Sequence, residues 1–178
     1  YRIVFCGGLY RNLAGVEPHT SFKLNERGSI LLSEPDGKGS WRVVSQIGSA
    51  LKPYAKQRRG VSFGFPNSDS TASPVYFENA TPNAKNPALG VTEFCTDPIF
   101  SVRRGFLEQP FTLIITNLTP GASLTYTVNG DIPTESHGIV VPSTSSTNPP
   151  SISIPISSTT LVRARVWKPG LGASHVET

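Results

Sequence analysis

The chain has 178 residues, 37% of them hydrophobic and only 16% charged, with sixteen Gly, sixteen Pro and a net charge of +4. That length holds one large or two small domains, and that punctuation suits many short strands joined by turns while excluding coiled coils, long helices and charge-driven disorder. No run of about 18 apolar residues reads as a membrane-spanning helix, and the basic residues, densest at Lys52, Lys56, Arg58 and Arg59, are dispersed enough to read as a solvated surface rather than a nucleic-acid site.

In chain order, residues 1–5 form an apolar run that begins inside a strand with no initiator Met, as expected of a piece of a longer protein. Glycine at Gly7 and Gly8 permits the turn that follows. Thr20, Phe22 and Leu24 share one parity and predict a half-buried strand. Pro35-Asp36-Gly37 is a tight turn, because Pro presets φ and Asp-Gly tolerates positive φ, and it joins runs 29–34 and 41–46 into a hairpin. Residues 61–65 are the last strand of this part. From 66 to 97 the chain is rich in Pro and polar residues around a brief Tyr76-Phe77 anchor, and reads as a stiff connector and domain boundary.

Beyond it, Phe111, Leu113 and Ile115 share a parity, as do Leu124, Tyr126 and Val128. Asn129-Gly130 is the strongest turn or hairpin signal in the chain. The Ser/Thr/Asn/Pro-rich stretch 142–150 reads as a long mobile loop. Ile152, Ile154 and Ile156 alternate with Ser153 and Pro155, and that proline marks an edge position. Val162, Ala164 and Val166 face one way, with Arg163 and Arg165 on the other side.

Several residue types carry chemistry elsewhere. Cys6 and Cys95 are too few for a disulfide framework or a zinc site and read as buried thiols, a bridge between two modules being the alternative. His19, His137 and His175 are far apart, and no metal or nucleophile motif includes them. His19 reads as a packing residue of its strand, and the other two lie in turn-like contexts. Asp69, Asp97 and Asp131 are calcium candidates by residue type, but no Asp-x-Asp-x-Asp run exists and turn capping is the simpler reading. Trp41, Tyr126 and Trp167 are the aromatics able to stack on sugar rings. Against that, Tyr126 reads as core and the tryptophans as cover for sheet edges. Asn79 and Asn117 head glycosylation sequons.

The second part resembles the Fn3-associated, or chitobiase/β-hexosaminidase C-terminal-like, domain. The residues concerned are Arg104-Gly105-Phe106, Pro120-Gly121-Ala122, the stretch from Tyr126 through Asn129-Gly130-Asp131 to Pro133-Thr134, and Thr160-Leu161-Val162-Arg163-Ala164-Arg165. Asn129 stands where that family has Asp, and Asp131 where it has Ser. The first part resembles the C-terminal portion of a lamin-tail domain, through Ile3-Val4-Phe5-Cys6-Gly7-Gly8, through His19-Thr20-Ser21-Phe22-Lys23-Leu24 with Gly28, Leu32 and Pro35-Asp36-Gly37, and through Gln57 with Val61-Ser62-Phe63-Gly64. Tyr76-Phe77, Thr81-Pro82-Asn83-Ala84 and Asn86 complete that resemblance, while Gly60 replaces an expected Asp and the family's opening strands are absent.

The resemblances imply an all-β protein of two immunoglobulin- or fibronectin-like β-sandwich modules, the first truncated. The expected bounds are 1–88 for an incomplete lamin-tail domain with a Pro-rich tail, 89–97 for a linker and 98–178 for the Fn3-associated domain. They imply non-catalytic structural or interaction modules of a secreted or cell-surface bacterial multidomain protein, spacing or docking a neighbour such as a CotH-type kinase domain. The chain itself has no Gly-rich strand–loop, catalytic Asp/Asn pair or Walker motif, and is expected to be neither an enzyme nor a cofactor binder. Expected partners are adjacent domains of the same chain and a protein or polysaccharide ligand, without nucleic acid or a membrane span. The alternative is a carbohydrate-binding accessory module of a secreted glycoside hydrolase, with Trp41 and Trp167 as the stacking platforms. Missing strands in the first module are also expected to leave an unpaired sheet edge and exposed apolar surface there.

Overall fold

A computed structural model describes residues 5–6, 19–20, 22–143 and 145–178; for Phe5, Cys6 and His19 it describes the backbone. The chain is all-β, and the described residues include no helix beyond a short 3₁₀ turn at Pro66–Ser68. It divides into two compact units, Tyr1–Gly90 and Val91–Thr178.

In the first unit, strands β1 (Phe5–Cys6) and β2 (His19–Thr20) pair in parallel. The strand expected through Leu24 stops at Thr20, and Phe22 and Leu24 are exposed. Their alternation is real, but no described strand lies beside them to satisfy the ladder.

Strands β3 (Ile30–Pro35) and β4 (Trp41–Ile47) form the expected hairpin. Asp36 Oδ1 accepts from the backbone N–H groups of Lys38 (2.7 Å) and Ser40 (2.9 Å), and Gly37 and Gly39 take positive φ. At the far end of this hairpin Gly48 (φ 73°) lies so close to the Gly28 carbonyl and the Tyr54 amide that an added Cβ would stand 2.5 Å from each. Tyr54 is buried there, its hydroxyl donating to the Asn25 carbonyl at 2.8 Å. Strands β5 (Ser62–Gly64) and β6 (Val75–Phe77) pair antiparallel. Phe63 and Tyr76 pack with their rings tilted by 54° and 4.8 Å between centroids, and the Tyr76 hydroxyl donates to the Lys56 carbonyl at 2.5 Å. The buried side chains of this unit are thus chiefly aromatic, Tyr54, Tyr76 and Phe77.

The second unit is built from two three-stranded sheets. One has the order β11 (Ser151–Ile156), β8 (Phe111–Thr116), β7 (Ile99–Phe100); the other has β10 (Ile139–Val141), β9 (Ser123–Thr127), β12 (Arg163–Trp167). Leu113, Ile115 and Ile154 from the first sheet meet Leu124, Tyr126, Ala164 and Val166 from the second in a single core. Period-2 alternation with one buried face is what pins these registers, because a one-residue slip would turn every one of these side chains outward. Pro155 sits on β11 at the sheet's edge, where its missing N–H breaks no interior ladder. The layout is compatible with an immunoglobulin-like sandwich.

Two details depart from the sequence reading. Much of the segment expected as a linker at 89–97 is built into the second unit: Cys95 is buried in the core, its N–H donates to the Gly172 carbonyl at 2.8 Å, and the Thr96 N–H donates to Thr119 Oγ1 at 2.9 Å. Asn129-Gly130 is a turn but not a two-residue hairpin, since residues 128–138 separate β9 from β10. Asn129 Oδ1 accepts from the Asp131 N–H at 3.1 Å, and Gly130 takes φ 86° beneath Leu161.

Candidate functional site

The two tryptophans expected to stack on sugars differ in what surrounds them. Trp41 opens β4 opposite Pro35 and is 70% exposed. Trp167 ends β12 half-buried, with the Arg165 guanidinium 4.5 Å from its ring centroid. A guanidinium in that position satisfies the ring's negative face and occupies the surface a sugar would use. Arg165 is itself fixed by donating from Nε to the Ser174 carbonyl at 2.9 Å. Tyr126 lies in the core, as expected.

The sequence treated histidines and aspartates separately, whereas the structure pairs them. His137 Nε2 lies 3.2 Å from Asp131 Oδ2, and His175 Nδ1 lies 3.1 Å from Asp97 Oδ2, with the His175 N–H donating to Asp97 Oδ1 at 2.7 Å. The Asp131 carboxyl is held below its ordinary range, first by the Asn129 side-chain amide and then by His137. Asp69 is lowered by the Thr71 hydroxyl and N–H. Each of the three calcium candidates is therefore engaged by a protein partner, and among the described residues no group of three His, Cys, Asp or Glu could hold a metal ion. Ser174 lies next to the Asp97–His175 pair in sequence, but its Oγ accepts from the Val166 N–H and donates to the His175 carbonyl, so it is not aimed at the imidazole. The Asn117 side chain is wholly buried, bonded to the Thr119 N–H and the Ala122 carbonyl, so its sequon is closed to modification in the folded chain. The His19 and Cys6 side chains lie outside the described residues.

A cleft lies at one end of the second unit. The connection from β7 to β8 (101–110) and the one from β11 to β12 (157–162) border a cleft of about 560 Å³. Phe100, Phe111, Ile156 and Val162 line it from the core side, and Arg103 and Arg104 border it from the first connection. Ser101 anchors that connection: its N–H donates to the Ile114 carbonyl, and its hydroxyl accepts from the Ile114 N–H, both at 2.9 Å. Leu161, packed on Gly130, anchors the other. In the sequence, Arg104-Gly105-Phe106 carries only a family resemblance. The available signal was a paired arginine followed by glycine and an unpatterned phenylalanine in a long connection. Compared with known proteins, the chain matches no family model, no curated protein and no solved structure.

Proposed function

We propose that this chain is a non-catalytic structural and interaction segment of a secreted or surface bacterial protein, with lamin-tail and Fn3-associated modules that space or dock a neighbouring domain. The observation that carries this reading is where the polar side chains go. Asp36, Asp69 and Asn129 cap turns, Asp97 ties down residue 175, Ser174 braces β12, and Asn117 caps the turn after β8. Groups committed to backbone partners stiffen a scaffold and are poorly placed to act on a substrate. Exposed Ile30, Leu31, Leu32, Val43 and Val44 on the β3–β4 hairpin supply apolar surface of the kind that meets another protein.

The exposure of Trp41 favours a second reading, the carbohydrate-binding accessory module of a glycoside hydrolase. Retention of the purified chain on insoluble chitin, cellulose and starch separates the two. The structural reading expects no retention on any of them. Retention that disappears in Trp41→Ala overturns it in favour of the second.

A further inference from the structure

The cleft at the 101–110 end of the second unit joins an apolar wall to two arginines. Its volume, about 560 Å³, falls within the roughly 300–1,000 Å³ typical of small-ligand sites rather than of flat protein-docking faces. The side chains lining its inner wall, Phe100, Phe111, Ile156 and Val162, also pack on the sandwich core, so the apolar interior is continuous with the cleft. At its border Arg103 and Arg104 make no hydrogen bond or ion pair among the described residues, and Glu108 and Thr178 also line the cleft. Phe106 is fully exposed beside them, at 108% of its reference area. The opposite border carries the hydroxyls of Ser158 and Thr159.

We propose that this cleft binds a small amphipathic carboxylate, an alkyl or aryl chain with one anionic head. The chain would be desolvated against the apolar wall and covered by Phe106, while the head would be held by the two guanidinium groups, whose forked donors match a carboxylate. A sugar fits less well, because Phe100, Phe111, Ile156 and Val162 make the inner wall apolar and the two guanidinium groups are neighbours in sequence. The proposal does not depend on the spacer reading: retention on a polysaccharide would overturn that reading and leave this one standing.

The test is a titration of the full chain with decanoate, followed by amide shifts in a ¹H–¹⁵N spectrum, alongside octanoate, hexanoate and neutral decanol. The expected result is one saturable site with shifts confined to residues 100–111 and 156–162, weakening about fourfold for each methylene removed. Arg103→Gln/Arg104→Gln should weaken decanoate about tenfold or more without changing decanol binding. Both positions are exposed, so unchanged core resonances verify that the variant is folded. Absence of saturation, shifts centred on the β3–β4 hairpin, or equal affinities of wild type and the double variant for decanoate would overturn the proposal.

Discussion

The two units put apolar strand residues to different ends. In the second, Leu124, Ile115, Ala164 and Val166 are completely buried, because two sheets face each other and each supplies the other's cover. In the first, Ile30, Leu31 and Leu32 run consecutively on β3, as do Val43 and Val44 on β4, so both faces of the hairpin carry apolar side chains, and all are exposed. That hairpin is a two-stranded ladder with unpaired outer edges among the described residues. Two strands alone are marginal in water, and what holds this ladder locally is the Asp36 turn at one end and the Gly48–Tyr54 contact at the other. Apolar strand residues therefore need a second layer, and only that layer decides whether they are buried.

Core truncation is the strongest way to probe this difference. Leu124→Ala should destabilise the second unit by about 2–5 kcal/mol, while Leu32→Ala should stay within about 0.5 kcal/mol. Denaturant melts read by Trp167 in a Trp41→Phe background, and by Trp41 in a Trp167→Phe background, report each unit separately. A Leu32→Ala loss as large as that of Leu124→Ala would show that the hairpin face is covered after all.

Glycine substitutions sharpen the same contrast. Gly138 holds φ 118° with the Tyr126 carbonyl 2.7 Å from where a Cβ would be, above the buried Thr125 and Thr127. Gly138→Ala should cost about 2–3 kcal/mol. Gly37, in the hairpin turn, also has positive φ but nothing within 4 Å, so Gly37→Ala should cost only the backbone penalty of about 1 kcal/mol. Equal losses in thermal melts would mean that packing adds nothing at residue 138.

The boundary between the units is open to a smaller test. A fragment of residues 91–178 should be more stable than one of 98–178 by about 1–3 kcal/mol, because only the longer one keeps Cys95 in the core and the Thr96–Thr119 bonds. Identical urea midpoints would place residues 91–97 outside the folding unit.

The smallest expected effect is a pH dependence. The folded Asp131 carboxyl lies below its ordinary value of 3.8, so its contribution is present above that value and is lost as the pH falls through the lower, folded one. Asp131→Asn should flatten the fall in urea midpoint between about pH 5 and about pH 3 without moving the neutral-pH value much. An unchanged acid limb would remove Asp131 from the account.

Much of the second unit could be read directly from its residues. The parities of 111, 113 and 115 and of 162, 164 and 166 and the edge proline at 155, like the Asp36 turn of the first unit, all depend on neighbours a few positions apart, and backbone geometry forces side chains two apart onto one face. Other features depended on distant parts of the chain. Thr125 and Thr127 are polar by type yet buried because Gly138 lies over them, and Trp167 is capped because Arg165 is oriented by Ser174. His175 meets an aspartate 78 positions away, and the cleft exists because two unrelated connections end at the same place. Local periodicity is set by bond geometry and is therefore visible in the chain, whereas convergence depends on how the sheets are ordered and stacked, which only the folded molecule specifies.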